Sequence, residues 1–292
     1  VSGVQAQYTF QYLKGDSLQT YFSVEDAVSQ NIRAQVLNLR QTRIQAVDAR
    51  IGKLTELQFI NLMKNELEAL PDEIYLLTKL LELNMRQNKL KALSEKIGGW
   101  ENILYLDLSK NELATLPEAF GSLKKLEVVN ISENKLTTLP NSLGGLTALQ
   151  VWESDKNSLS QIPNRLGRLP RVNRISIGYN QLSKIERVHL APRLETLILE
   201  HNRITEIPTT IGKAKNLKSL ILNDNKISIV PPTIGNCTSL ELLVLSKNSI
   251  TKLPESIRKL KNLRTLILNG NVISGEEQTK IKAWLPDCDI RF

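Results

Sequence analysis

Two histidines occur in the 292 residues, and only His201 stands beside acidic company that suggests chemistry. Glu200 precedes it, and Asp224 follows 23 residues later. An imidazole oriented by a carboxylate is half of a general acid–base or nucleophilic device. The other half requires groups that converge in a water-excluding pocket, and no such constellation is legible. The chain contains no HExxH, no phosphate-cradling glycine loop and no GxSxG. His189 reads as a surface or half-buried side chain. Cys237 and Cys288 rule out a disulfide scaffold and a four-cysteine zinc site, and read as small buried hydrophobes too far apart to bridge. The expectation is a non-enzymatic protein without cofactor or metal.

The elements that position these residues must come from a mostly aliphatic core, because aromatics are 5% of the chain. Hydrophobic residues at 41% and charged residues at 23% exclude a disordered chain. No run approaches the roughly 18 apolar residues of a membrane span. The net charge of +8 is not gathered into a stripe: its densest stretch, Arg165 to Arg203, still contains Glu186, Glu195 and Glu200. Specific nucleic-acid binding is therefore not expected. Some adhesion to polyanions that fades with salt is.

A repeat organises the chain. Asn65, Asn88, Asn111, Asn134, Asn157, Asn180, Asn202, Asn225, Asn248 and Asn271 recur every 23 residues, with a single step of 22 between Asn180 and Asn202. Aliphatic residues usually sit eight, five and three positions before each asparagine and two after, as in Ile103, Leu106, Leu108, Asn111 and Leu113. An earlier copy reads Ala34, Leu37, Leu39, Thr42, Ile44, with threonine in the asparagine's place, which makes about eleven units.

Each fixed position has a physical reason. Leu106 and Leu108 alternate with Asp107, so the leucines share one face of a short extended segment and Asp107 faces the other way. That predicts one parallel strand per unit. The asparagine follows where the backbone leaves the strand. Its amide both donates and accepts, so a stack of them can satisfy buried N–H and C=O groups from coil to coil. The second half of the unit reads LPxxIGxL, as at Leu116, Pro117, Phe120, Gly121 and Leu123, or Ile207, Pro208, Ile211 and Gly212. Proline enforces an irregular or polyproline-like return with room for a short helical turn, and glycine is expected to permit the tight turn back. A bulkier return than strand predicts a curved α/β solenoid.

These residues resemble the leucine-rich repeat family, in its 23-residue LPxxIGxL variety, over about residues 34–273. The resemblance implies an arc with a concave parallel β-sheet, an irregular convex side and helical end caps, whose concave face binds a protein partner. The ending KIKAWLPDCDIRF is similar to the terminal cap of secreted bacterial members. Related arrays also resemble cytoplasmic signalling adaptors of the Ras-binding class, so an intracellular scaffold is the alternative reading.

The expected division is residues 1–20 as a leader remnant and disordered terminus, 21–33 as an N-terminal cap, 34–273 as repeats and 274–292 as a C-terminal cap. Val1 to Gln7 look like the end of a secretory leader, with a small-residue cleavage site at Val4 to Ala6, which predicts a secreted, periplasmic or cell-surface protein. Cytoplasmic residence goes with the adaptor alternative. Ser23 and Asp26 open a short helix to Gln30, Ser274 and Glu277 form a capping box, Ile281, Trp284 and Leu285 share a helical face, and Pro286 ends that helix. Cys288, Ile290 and Phe292 alternate as a closing strand. Trp152 and Ser154 stand at aliphatic positions, and Ser183 to Pro192 lacks the proline–glycine return.

Function is sought on the outward strand positions, which the repeat leaves free to vary. Four residues before each asparagine, the column runs Asn61, Asn84, Asp107, Asn130, Glu153, Ser176, Ile198, Ile221, Val244 and Ile267. Its last four members are β-branched and apolar, and Leu242 widens that stripe. Phe59, Met63 and Tyr105 form a smaller apolar group at the other end. The partner-binding candidates are these eight: Ile198, Ile221, Leu242, Val244, Ile267, Phe59, Met63 and Tyr105. The competing account is that β-branched residues simply favour strands. Arg40, Arg86, Asp107, Glu153 and Asp155 supply specificity or form a solvated face.

Overall fold

The computed structural model describes residues 18–185 and 190–292. Val1 to Gln7 and His189 lie outside the described residues. A single sheet of 13 parallel strands runs in chain order. Its strands are β1 Thr20–Tyr21, β2 Val36–Asn38, β3 Phe59–Asn61, β4 Glu82–Asn84, β5 Tyr105–Asp107, β6 Val128–Asn130 and β7 Val151–Glu153. They continue as β8 Arg174–Ser176, β9 Thr196–Ile198, β10 Ser219–Ile221, β11 Leu242–Val244, β12 Thr265–Ile267 and β13 Asp289–Arg291. Strands β2 to β12 each follow from one repeat, in the predicted register: Leu83 pairs with Leu106, and Asn84 with Asp107.

Each coil buries its aliphatic positions against the next, so Ile103, Leu108 and Leu113 are fully buried and Leu106 nearly so. The asparagines tie the coils together. Asn111 Nδ2 donates to Leu108 O at 3.0 Å in its own coil and to Met85 O at 2.9 Å in the preceding one, while its Oδ1 accepts from Leu90 N at 3.0 Å. One amide thus satisfies three backbone groups that lie beyond the strand ladder. Thr42 makes fewer such bonds: its hydroxyl donates to Leu39 O at 2.9 Å, and its N–H goes to Asn65 Oδ1 at 3.0 Å.

The return paths are more regular than the sequence suggests. They carry five-residue 3₁₀ turns, of which Glu118–Ser122 and Thr209–Lys213 are entered from an extended proline. The glycines inside them do not serve a left-handed turn. Gly270 is the one glycine with positive φ among the described residues. Gly121 and Gly145 are needed because coils touch there: a Cβ on Gly121 would overlap Ser142 O, and one on Gly145 would overlap Gly121 O. The expectation of glycine as a turn residue is corrected to glycine as a spacer between stacked backbones.

The broken repeat at β7 is repaired internally. Trp152 and Ser154 are both fully buried, and the indole Nε1 donates to Ser154 Oγ at 2.9 Å, so the small hydroxyl makes room for the ring and satisfies it. At one end, helix α1 (Val24–Gln30) starts at Ser23, whose Oγ accepts from Asp26 N at 2.9 Å. Thr20, in the segment expected to be disordered, belongs to β1 and pairs with Val36. At the other end, helix α2 (Gly275–Trp284) starts at Ser274 and buries Ile281. Ser274 Oγ accepts from Glu277 N at 3.3 Å, but the Glu277 carboxylate accepts from Leu253 N at 3.1 Å. The expected reciprocal box is therefore replaced by a link from the helix to the last coil. Cys237 is buried, whereas Cys288 is only half-buried, which corrects its reading as a core residue. Burial pushes both thiols up to about 11, with Asp289 adding to the rise at Cys288. Among the described residues no helix is long and apolar enough to cross a membrane.

Candidate functional site

The period of two along each strand sends the central residue into the core and its neighbours outward, so three outward columns cross the sheet, six, four and two residues before each asparagine. The fourth-residue column changes character as predicted. Ile198, Ile221 and Val244 pair in register through β9, β10 and β11, and Val244 pairs with Ile267 of β12. All four are half-buried, as is Leu242. The strip extends roughly 15 Å at the spacing of about 4.8 Å between strands.

The smaller apolar group is not brought together as a surface. Phe59 is buried at 6% exposure, in register between Val36 and Glu82, which are 3% exposed each. Met63 and Tyr105 are half-buried.

The centre of the face is acidic. Asp155 accepts from Ser176 Oγ at 2.7 Å and from Gly178 N at 2.6 Å. Arg174 Nε lies 3.4 Å from Glu153 Oε1. Asp107 accepts from Ser109 N at 2.9 Å and from its hydroxyl at 2.6 Å. Burial pushes the carboxyls of Asp107, Glu153 and Asp155 above the ordinary range, because desolvation outweighs their hydrogen bonds and cationic neighbours.

A fourth column contains His201 and Asp224. The residue immediately before each asparagine has positive φ, from Lys64 at 58° through Lys110 at 57° and His201 at 50° to Lys247 at 51°. These positions carry bulky and charged residues in a conformation that glycine or asparagine would favour, so no composition signal marks them. Their side chains meet along one edge of the sheet. Lys110 and Lys156 flank Glu133 at 3.5 and 3.9 Å, and Lys156 Nζ lies 6.0 Å from the Tyr179 ring centre. Beyond the Tyr179–His201 contact, His201 Nε2 lies 3.4 Å from Asp224 Oδ2, and Lys247 Nζ lies 3.2 Å from Asp224 Oδ1.

The candidate dyad is thus real in space, but Asp224 is shared with Lys247. Burial raises the Asp224 carboxyl, yet hydrogen bonds from Asn223 and Lys247 outweigh it and hold the group below the ordinary value. Among the described residues no Ser or Cys side chain hydrogen-bonds to His201, and no group of three His, Cys, Asp or Glu side chains could hold a metal ion. Glu200 turns away to accept from Asn223 Nδ2 at 3.1 Å.

A leucine rich repeat family profile matches residues 105–151 and 215–273, and a two-copy leucine rich repeat profile matches residues 192–233. No curated protein matches by sequence. Among solved structures, the chain is similar to a leucine-rich repeat protein of Leptospira interrogans, with 28% identity and a TM-score of 0.56, covering 91% of this chain and 86% of that one. An internalin of Listeria monocytogenes, 19% identical, shares the fold with a TM-score of 0.70 over 92% of this chain and 86% of its own. A chain of the Toll–Spatzle complex, from Drosophila, reaches a TM-score of 0.73 at 25% identity over 84% of this chain, which spans only 34% of that larger one.

Proposed function

Starting from a chain that is a leucine-rich repeat solenoid, we propose that it is a non-enzymatic binding module that holds a protein partner on its concave sheet. Protein binding is common to this fold. The observation that supports this particular face is the column of Ile198, Ile221, Val244 and Ile267, four half-buried branched side chains adjoining in register. Outward positions need not be apolar to build the solenoid, since the same column is polar at Asn61, Asn84 and Asn130. Contiguous apolar surface of this kind is ordinarily put to use. The acidic centre at Asp107, Glu153 and Asp155 beside it supplies charge selection.

A bacterial, exported or cell-surface setting is part of the proposal. Its bacterial part is supported by likeness to the Leptospira protein over nearly the whole chain, and its export by the similarity of the ending KIKAWLPDCDIRF to the cap of secreted bacterial members. Cell fractionation tests it, with the protein in the medium, periplasm or surface fraction expected and its confinement to the cytoplasm contradicting it. The binding reading is tested by placing aspartates in the strip, at Ile221 and Val244, and measuring partner retention by the folded variant.

A further inference from the structure

Away from the concave face, where each coil turns into its strand, the residue three positions before the strand forms another column. Most of its members are spoken for. Lys79 pairs with Glu56 at 2.6 Å, Lys125 donates to Asn102 Oδ1 at 2.6 Å, and Asn216 and Asn262 donate to Pro192 O and Thr238 O in the preceding coils at 2.7 and 2.9 Å. Among its charged members Arg33, Arg171 and Arg193 are the exceptions, and only the last two lie in adjacent coils. These two hold equivalent places before β8 and β9, and neither side chain has an ion-pair or hydrogen-bond partner among the described residues.

Two cations in equivalent places of adjacent coils repel one another, and among the described residues no ion pair offsets it. They open onto a groove of about 720 Å³, which they share with Gln150, Asn173, Asn216 and Ser239. Lys218 and Glu195 complete it, paired at 2.9 Å, so the groove carries two uncompensated positive charges. No apolar side chain lines it, which disfavours a peptide's hydrophobic residue, and no aromatic ring, which disfavours a stacked base. Amides and a hydroxyl around two planar cations suit hydroxyl groups and oxyanions. The volume is that of a small-ligand site.

We infer that this groove binds an acidic saccharide, a sugar bearing sulfate or phosphate esters whose oxyanions are held by Arg171 and Arg193. The site is separate from the concave strip, so either can fail without the other.

The test is titration calorimetry of the full chain at fixed salt with sucrose octasulfate and with fructose 1,6-bisphosphate, compared with inorganic phosphate, a single-stranded DNA oligonucleotide and polyglutamate. Arg171→Gln/Arg193→Gln removes two exposed side chains without partners, so it folds. Arg203→Gln/Lys226→Gln removes the same charge from exposed positions in adjacent coils outside the groove. Saturable binding of a sugar ester, weakened at least about tenfold in the groove variant and less than about twofold in the control, is the expected result. Which of the two esters binds assigns sulfate or phosphate as the source. Absence of saturable binding by both sugars, equal weakening in both variants, or tighter groove-dependent binding of DNA or polyglutamate overturns the inference.

Discussion

Tyr179 lies flat against His201, with ring centroids 4.1 Å apart and planes inclined by 18°. The two side chains are 22 residues apart and meet because each occupies the left-handed position before its asparagine. The stack connects the lysine–glutamate half of the edge ladder to the Asp224–Lys247 half. His201→Ala removes the stacking partner and leaves the core untouched, so a loss of about 1 kcal/mol is expected. Denaturant unfolding measures it. A loss of several kcal/mol would mean that the ladder, rather than the core, carries the coil stack.

Asn111→Ala should cost far more. It strands Leu108 O, Met85 O and Leu90 N where water does not reach, for an expected loss of about 3–5 kcal/mol. Thermal unfolding of Asn111→Ala beside Lys110→Ala, its exposed-edge neighbour, provides the comparison. Equal midpoints would contradict the role given to the amide.

Gly145→Ala separates spacing from turn geometry. A turn without positive φ accepts alanine freely, whereas here the added methyl meets Gly121 O of the adjacent coil. A destabilisation of about 1–3 kcal/mol is expected, read by the same unfolding measurement. Unchanged stability would contradict the spacer role.

Asp107→Asn should stabilise. Its neighbours Asn84 and Asn130 accept from the N–H two residues on, as Asp107 does, so the amide keeps that bond and removes a desolvated charge. Because burial raises the Asp107 carboxyl in the fold, the protonated form is the one the folded chain favours. The carboxyl's contribution is present below the unfolded value near 3.8 and lost as pH rises through the raised folded value. A melting temperature about 1–2 °C above wild type at pH 7, converging with it in acid, is expected. A lower value at pH 7 would show that the charge is favourably held.

The repeat, strand register and core were legible because they rest on residue types whose period is fixed by geometry: Leu106 and Leu108 inward, Asn111 at the bend. The column of Ile198 to Ile267 was legible for the same reason. The contact of Tyr179 with His201 was not, since positive φ at bulky residues leaves no mark in composition. Phe59 was misjudged because outward placement on a strand does not report what covers it. The pairing of Arg171 with Arg193 across a groove depends on which cations find partners, which the order of residues does not state.

Partner retention by the concave strip is the most direct measurement. Wild type, Ile221→Asp/Val244→Asp and Ile229→Asp are immobilised, each first shown to melt cooperatively, and retained proteins are identified from the same extract. Ile229 is 64% exposed and lies outside the sheet, so it controls for an added charge. The account predicts a partner retained by wild type and Ile229→Asp and lost from the strip variant. Retention of the same partner by all three would contradict it.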